Sequence, residues 1–231
     1  GVNSSVLLED VMGLIEKAHT EDDRVIIVLD EFQEILDLAP KLDRQLRSIM
    51  QEQKNINYIL LGSQESMMTE IFERKKSPFY HFGEMMRLSK LPREDFHTFL
   101  SERLKNCFAT SSEELADSIL DYTNNHPYYS QQLAANVWNI GILQLDTDDV
   151  LLTAIDYIVT THGHDYERLW MNINRTSKWI LRQLASKSQL QTGEYPTSTI
   201  YSALKRLQKE GYVIYSDRYE IEDPFFKEWI S

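Results

Sequence analysis

The most constraining stretch in this chain is Arg24-Val25-Ile26-Ile27-Val28-Leu29-Asp30-Glu31-Phe32. Five consecutive apolar residues, four of them β-branched, make too short a run for a typical helix. They suit a strand buried on both faces of a parallel sheet. The run stops in two adjacent carboxylates, and open parallel sheets place their ligands beyond the carboxyl ends of the strands. Paired acids at such a strand end are candidates for meeting a ligand. A core strand that simply returns to solvent through two acids, or acids that cap the next helix, accounts for the same residues.

Composition narrows the setting. The 231 residues are 42% hydrophobic and 26% charged, ordinary values for a soluble globular protein with room for one large or two modest domains. The apolar runs fall short of a membrane span and no basic-then-apolar leader opens the chain, so no membrane contact is expected. The single cysteine, Cys107, excludes an internal disulfide and fits a cytoplasmic protein. Net charge is −12 but uneven: Arg175 to Ser231 carries nine Lys/Arg against seven Asp/Glu, and the first 174 residues carry 15 against 29. An acidic body disfavours extensive nucleic-acid contact, which relies on Lys and Arg. The contrast also marks a boundary near Asn172 to Thr176.

A helix is expected after Ser4 and Ser5, with Leu7, Leu8, Val11, Leu14, Ile15 and Ala18 inward. A second opens at Pro40 and buries Leu42, Leu46, Ile49 and Met50. Asn57 to Ser63 is a second short strand, one crossover unit after the first, and Gln64 to Glu73 a further helix. Met85 to Leu91 is expected as a third strand. From Pro92 nearly everything reads as helix. Ser111 and Glu114 have capping-box spacing, Pro127 opens a helix after Asn124-Asn125-His126, and Thr147 caps the helix running to Thr161. Past residue 172 come two helices, Gly211 as a C-cap, a hairpin turning at Ser216-Asp217 and a closing helix from Pro224, the order of a winged helix. His162-Gly163-His164-Asp165 has a metal-like spacing without a third strong ligand, and a polar helix-end loop explains it better.

Four strings in order give a family resemblance over essentially the whole chain. Val28-Leu29-Asp30-Glu31-Phe32-Gln33-Glu34 resembles the Walker B segment of the archaeal and bacterial ATPases of the AAA+/STAND group. Leu60-Leu61-Gly62-Ser63-Gln64 resembles their sensor 1 strand, Ser77-Pro78-Phe79-Tyr80 their Ser-Pro-Leu-Tyr loop, and His126-Pro127-Tyr128-Tyr129 their His-Pro-Phe-Tyr turn. The resemblance implies a partial α/β P-loop NTPase domain with a parallel sheet (1–91), an all-α lid (92–172) and a winged helix (173–231). It implies ATP and Mg²⁺ as cofactors, Asp30 on the cation through water and Glu31 as the catalytic base. Ser63 and Gln64 would meet the γ-phosphate, although Ser63 would equally cap the helix from Gln64. His126 and Pro127 would meet the adenine, although Pro127 needs no reason beyond a helix start.

Two departures qualify this expectation. Where the family's loop continues Gly-Arg, Tyr80 is followed by His81-Phe82, so a phosphate-sensing arginine is missing or moved, with Arg87 the candidate. None of the eight glycines precedes Lys-Ser or Lys-Thr, so these residues hold no phosphate-cradling loop. The chain is therefore read as the C-terminal portion of an ATP hydrolase, inactive alone, that couples nucleotide state to lid and winged-helix movement. Its strand near Met86 to Leu88 should lack a hydrogen-bonded neighbour and leave an open edge, a route to self-association. The alternative is a non-catalytic winged-helix DNA-binding or regulatory protein with a relic α/β domain. Lys205, Arg206 and Lys209 would then meet phosphates.

Overall fold

Two runs of apolar residues, β1 (Val25–Leu29) and β2 (Ile56–Leu60), pair in parallel in the computed structural model, with Val25 opposite Ile56 and Leu29 opposite Leu60. The structure describes residues 4–17, 25–38, 41–54, 56–88, 91–186 and 194–231. They form two compact units, Gly1–Arg87 and Leu88–Ser231.

In the first unit the strands are joined by α1 (Ser4–Lys17), a 3-10 turn (Phe32–Glu34), α2 (Ile35–Leu38), α3 (Leu42–Glu52) and α4 (Glu65–Glu73). Their core gathers Met12, Phe32, Ile35, Leu46, Met50, Met68, Ile71 and Phe79, with Leu29, Tyr58 and Leu60 packed against it from the strands. Strand residues alternate between half-buried and exposed. Ile26 (61% exposed) and Val28 (53%) face away from the core. The expected strand covered on both faces is therefore covered on one, because the helices of this unit supply a single apolar layer. Helix α1 turns Leu8, Met12 and Ile15 inward and leaves Val11 and Leu14 exposed, so its face is rotated from the expected one. Leu7 and Ala18 of that expectation, and Pro40, lie outside the described side chains. The expected third strand does not form over residues 85–88, where Met86 and Leu88 are largely exposed; residues 89 and 90 lie outside the described set. A strand needs a neighbour for its N–H and C=O groups, and this segment has none among the described residues.

The second unit opens with α5 (Arg93–Leu104), α6 (Ser112–Tyr122), α7 (Pro127–Ile142), α8 (Val150–Thr161) and α9 (Gly163–Asn172). It closes with α10 (Arg175–Ser186), α11 (Thr197–Lys209), the antiparallel pair β3 (Val213–Tyr215) and β4 (Tyr219–Ile221), and α12 (Pro224–Ile230). One apolar core runs through all of it, from Phe96 and Leu133 to Leu207, Phe225 and Phe226. Helix α8 is capped by Asp149, whose carboxylate accepts from the Leu152 N–H at 3.0 Å, and not by Thr147, whose hydroxyl is engaged with Asp149 and Thr153. Ser111 precedes α6 but its side chain makes no cap bond, since ψ of 9° departs from the extended geometry that capping uses. Tyr215 pairs with Tyr219, so the hairpin turns through three residues where two were expected. Gly211 takes φ of 77°, the left-handed conformation that ends α11. No helix among the described residues is long and apolar enough to cross a membrane.

Candidate functional site

The acid pair emerges where the two parallel strands end together. The ladder runs on past the strands: the Leu61 N–H donates to the Leu29 carbonyl and the Phe32 N–H to the Leu61 carbonyl, both at 2.8 Å. These bonds bring Asp30 and Glu31 beside Leu61-Gly62-Ser63 on the other strand. Glu31 adopts φ 50°, ψ 42°, a left-handed conformation costing a non-glycine residue roughly 1–2 kcal/mol. Four contacts hold it there. Its N–H donates to Asp30 Oδ1 at 2.8 Å, and the bond from Phe32 fixes the next residue. Its Oε2 accepts from Ser63 Oγ at 2.8 Å and from the side-chain amide of Gln33. The Gln33 amide first, and the Ser63 hydroxyl second, hold the Glu31 carboxyl below the usual carboxylate range.

Beneath the acids the packing is close. Gln33 is completely buried. A Cβ on Gly62 would stand 2.5 Å from Gln33 Oε1 and 2.4 Å from Met68 Sδ, so this position takes glycine for room. Phe79 is also fully buried, its ring edge-on to Phe32 at 5.2 Å, and it anchors the Ser77 to Tyr80 loop in the same core. Next to that loop the Arg47 guanidinium of α3 lies 4.0 Å over the Phe82 ring. A guanidinium thus stands at this loop, contributed by another element. Arg87, the expected replacement, is paired with Glu73 at 2.7 Å.

Of the residues singled out from sequence, Asp30, Glu31 and Ser63 come together. Ser63 does not cap α4: that position belongs to Gln64, whose carbonyl accepts from Met67 and Met68 and whose side chain is exposed without a cap bond. Nor does the Glu31 side chain cap the turn that follows it. Asp30 is exposed, and its Oδ2 has no protein partner among the described residues, a donor suited to a hydrated Mg²⁺ ion. His126 and Pro127 belong to the second unit. Pro127 is the first residue of α7, and the His126 ring lies 4.5 Å from that of Tyr129. Two left-handed residues, Asn124 and Asn125, precede them. His126 lines a cleft of about 340 Å³ with Tyr122, Arg218, Tyr219, Glu222 and Lys227.

On α11, Arg206 donates to Ser177 Oγ of α10 at 2.8 Å and Lys205 lies 5.7 Å from the Tyr201 ring, while Lys209 is exposed. Arg206 is thereby a tie between helices. His164 is fully exposed, and no cluster of three or more His, Cys, Asp or Glu among the described residues is placed to hold a metal. The sequence reading did not single out Gln33 as a functional residue. A buried amide leaves no periodic trace, and its one signal is its place two residues past a carboxylate that needs a donor.

No family model and no curated protein matches the chain. Among solved structures, a Walker-type ATPase of Pyrococcus abyssi superposes on 96% of this chain with a TM-score of 0.67 at 16% identity. The chain spans 65% of that protein's length. What the two share at this identity is the fold, that of a Walker-type ATPase.

Proposed function

We propose that this chain is the C-terminal portion of an ATP-binding ATPase of the AAA+/STAND type, with Walker B acids Asp30 and Glu31. The observation that carries the reading is the meeting of Glu31 and Ser63 across the ends of two parallel strands, 2.8 Å apart, beside an exposed Asp30. Ligands of open parallel sheets bind at such strand ends. The likeness in fold to a Walker-type ATPase supports it.

Each residue then has a task in this reading. Asp30 holds the hydrated Mg²⁺ through its second oxygen. Glu31 would accept a hydrogen bond from the attacking water and take its proton as the water oxygen bonds to the γ-phosphorus and the bond from that phosphorus to the β,γ-bridging oxygen breaks, with ADP leaving. Ser63 and Gln64 are assigned to the terminal phosphate, and the family resemblance alone assigns His126 and Pro127, of the second unit, to the adenine. Bound Mg²⁺–ATP supplies the electrophilic phosphorus and the charge that orders these groups. Residues 92–172 act as the lid. Helices α10 and α11, the hairpin and α12 act as a winged helix that relays its movement. DNA contact through Lys205, Arg206 and Lys209 draws no support from a guanidinium already spent on Ser177. Self-association is proposed at the open sheet edge, while the uncovered apolar residues Ile26, Val28 and Ile59 mark a face that a further layer would cover.

The test uses the product of the whole gene, with any residues encoded before Gly1. ATP hydrolysis should fall by roughly 10²- to 10⁴-fold in Glu31→Gln while ATP binding is kept. Equal turnover in that variant, or a whole gene encoding no Gly-x-x-x-x-Gly-Lys-Ser/Thr segment, overturns the reading.

A further inference from the structure

We infer that Gln33 is the positioning residue for Glu31: its buried amide fixes the carboxylate where Ser63 meets it. The inference rests on the reading of Glu31 as the water-orienting base and adds a residue to it.

Among the described residues of the first unit, Gln33 is the one polar side chain in the buried set, in a unit whose other buried side chains are all apolar. Its amide is only half satisfied. The nitrogen donates to Glu31 Oε2, and the oxygen, also buried, has no partner. The reverse rotamer would set that oxygen against an ionised carboxylate, so the repulsion fixes which end faces Glu31. A methionine would fill the same space without an orphaned oxygen, so packing alone does not account for glutamine here. The neighbouring backbone is fitted to the amide. Gly62 lacks the Cβ that would stand 2.5 Å from Gln33 Oε1, and Glu31 turns left-handed so that its side chain reaches back to residue 33.

The Glu31 carboxylate is held from two sides. Oε2 receives both the Gln33 amide and the Ser63 hydroxyl, one from beneath and one from the neighbouring strand. The Ser63 backbone N–H acts on the same carboxylate, so residue 63 meets Glu31 through both its hydroxyl and its backbone. Ser63 is exposed, so its hydroxyl is free to rotate toward solvent or phosphate, whereas the Gln33 amide is locked by burial. The anchor is thus Gln33, and Ser63 is the adjustable partner.

The test compares the full-length protein with its Gln33→Met variant. Gln33→Met is expected to lower kcat by roughly 10- to 100-fold, the scale of a misplaced catalytic group. KM for ATP should stay within about twofold, since substrate binding is not what Gln33 serves. A crystal structure of Gln33→Met should show the Glu31 carboxylate moved off Ser63. An unchanged kcat per folded molecule, or a carboxylate still 2.8 Å from Ser63, overturns the inference. Should Gln33→Met fail to fold, the surface variant Ser63→Ala decides: the Glu31 carboxylate is expected to stay on Gln33, and its departure overturns the anchor. If Glu31→Gln turns over ATP normally, the reading of Glu31 fails and takes this inference with it. If Glu31→Gln is inactive and Gln33→Met is fully active, the positioning role fails alone.

Discussion

The two units of this chain are stabilised by different means. The second surrounds one continuous core of helical side chains, many fully buried, and closes it with Asp223, whose carboxylate accepts from the N–H groups of Phe225 and Phe226. Among its described residues the first has eight buried apolar side chains beneath a two-stranded sheet whose outer face shows Ile26, Val28 and Ile59 to solvent. Helices satisfy their backbone within one segment, so a helical unit needs only its apolar stripes to find one another. A parallel sheet needs neighbours on its edges and cover on both faces. The difference teaches that the candidate acids sit on the unit whose sheet is covered on one face among the described residues.

The largest effect separating the units should come from the helical core. Phe225 is fully buried with its ring against Tyr122 and Tyr129, and Phe225→Ala should cost about 3–5 kcal/mol in denaturant unfolding of this chain. A loss near zero would show that the second unit is not held by the core described. In the first unit, Gly62→Ala forces a Cβ into Met68 and Gln33 and should cost about 1–3 kcal/mol, read from the same curves. A neutral result would mean that the floor of the acid site yields easily.

How far these features could be read from sequence follows the same division. The helices of the second unit were legible because each buries a periodic stripe, as Leu133 and Val137 do on α7. Their ends were less so: Asp149 outcompetes Thr147 because its carboxylate lies one residue from the helix start, and the hairpin takes one residue more than the dipeptide Ser216-Asp217 suggested. In the first unit β1 and β2 were legible, but an apolar run does not reveal whether both faces are covered. Residues 85–88 read as strand because local composition cannot supply a ladder partner. At the site, Asp30, Glu31 and Ser63 were legible from where the strands end. Gln33 was not, since its role comes from contacts with Glu31 and Gly62 that no spacing encodes.

A pH series sharpens the comparison from the other unit. Burial first, and the charge of Asp223 second, push the Glu222 carboxyl above its ordinary range. Between that ordinary range and the raised folded value, the folded state keeps a proton that the unfolded state has lost. Stability therefore falls as pH rises through this window. Glu222→Gln should melt higher than the parent at pH 7.5 and match it near pH 4. A variant that gains nothing at the higher pH would remove the burial argument. The smallest effect belongs to the open sheet face: Ile26→Thr should change stability by less than about 0.5 kcal/mol, since Ile26 is 61% exposed. A larger loss would mean that something covers this face, and the contrast between the units would shrink.

The central claim is that Asp30 and Glu31 form the cation and water side of a nucleotide site. Replacing Mg²⁺ with Mn²⁺ in the full-length protein and measuring Mn²⁺ retention by electron paramagnetic resonance with ATP present tests it most directly. Asp30→Asn should weaken that retention by roughly tenfold or more, the effect of losing an ion's partner in the metal shell. Equal Mn²⁺ retention by parent and Asp30→Asn would contradict the account.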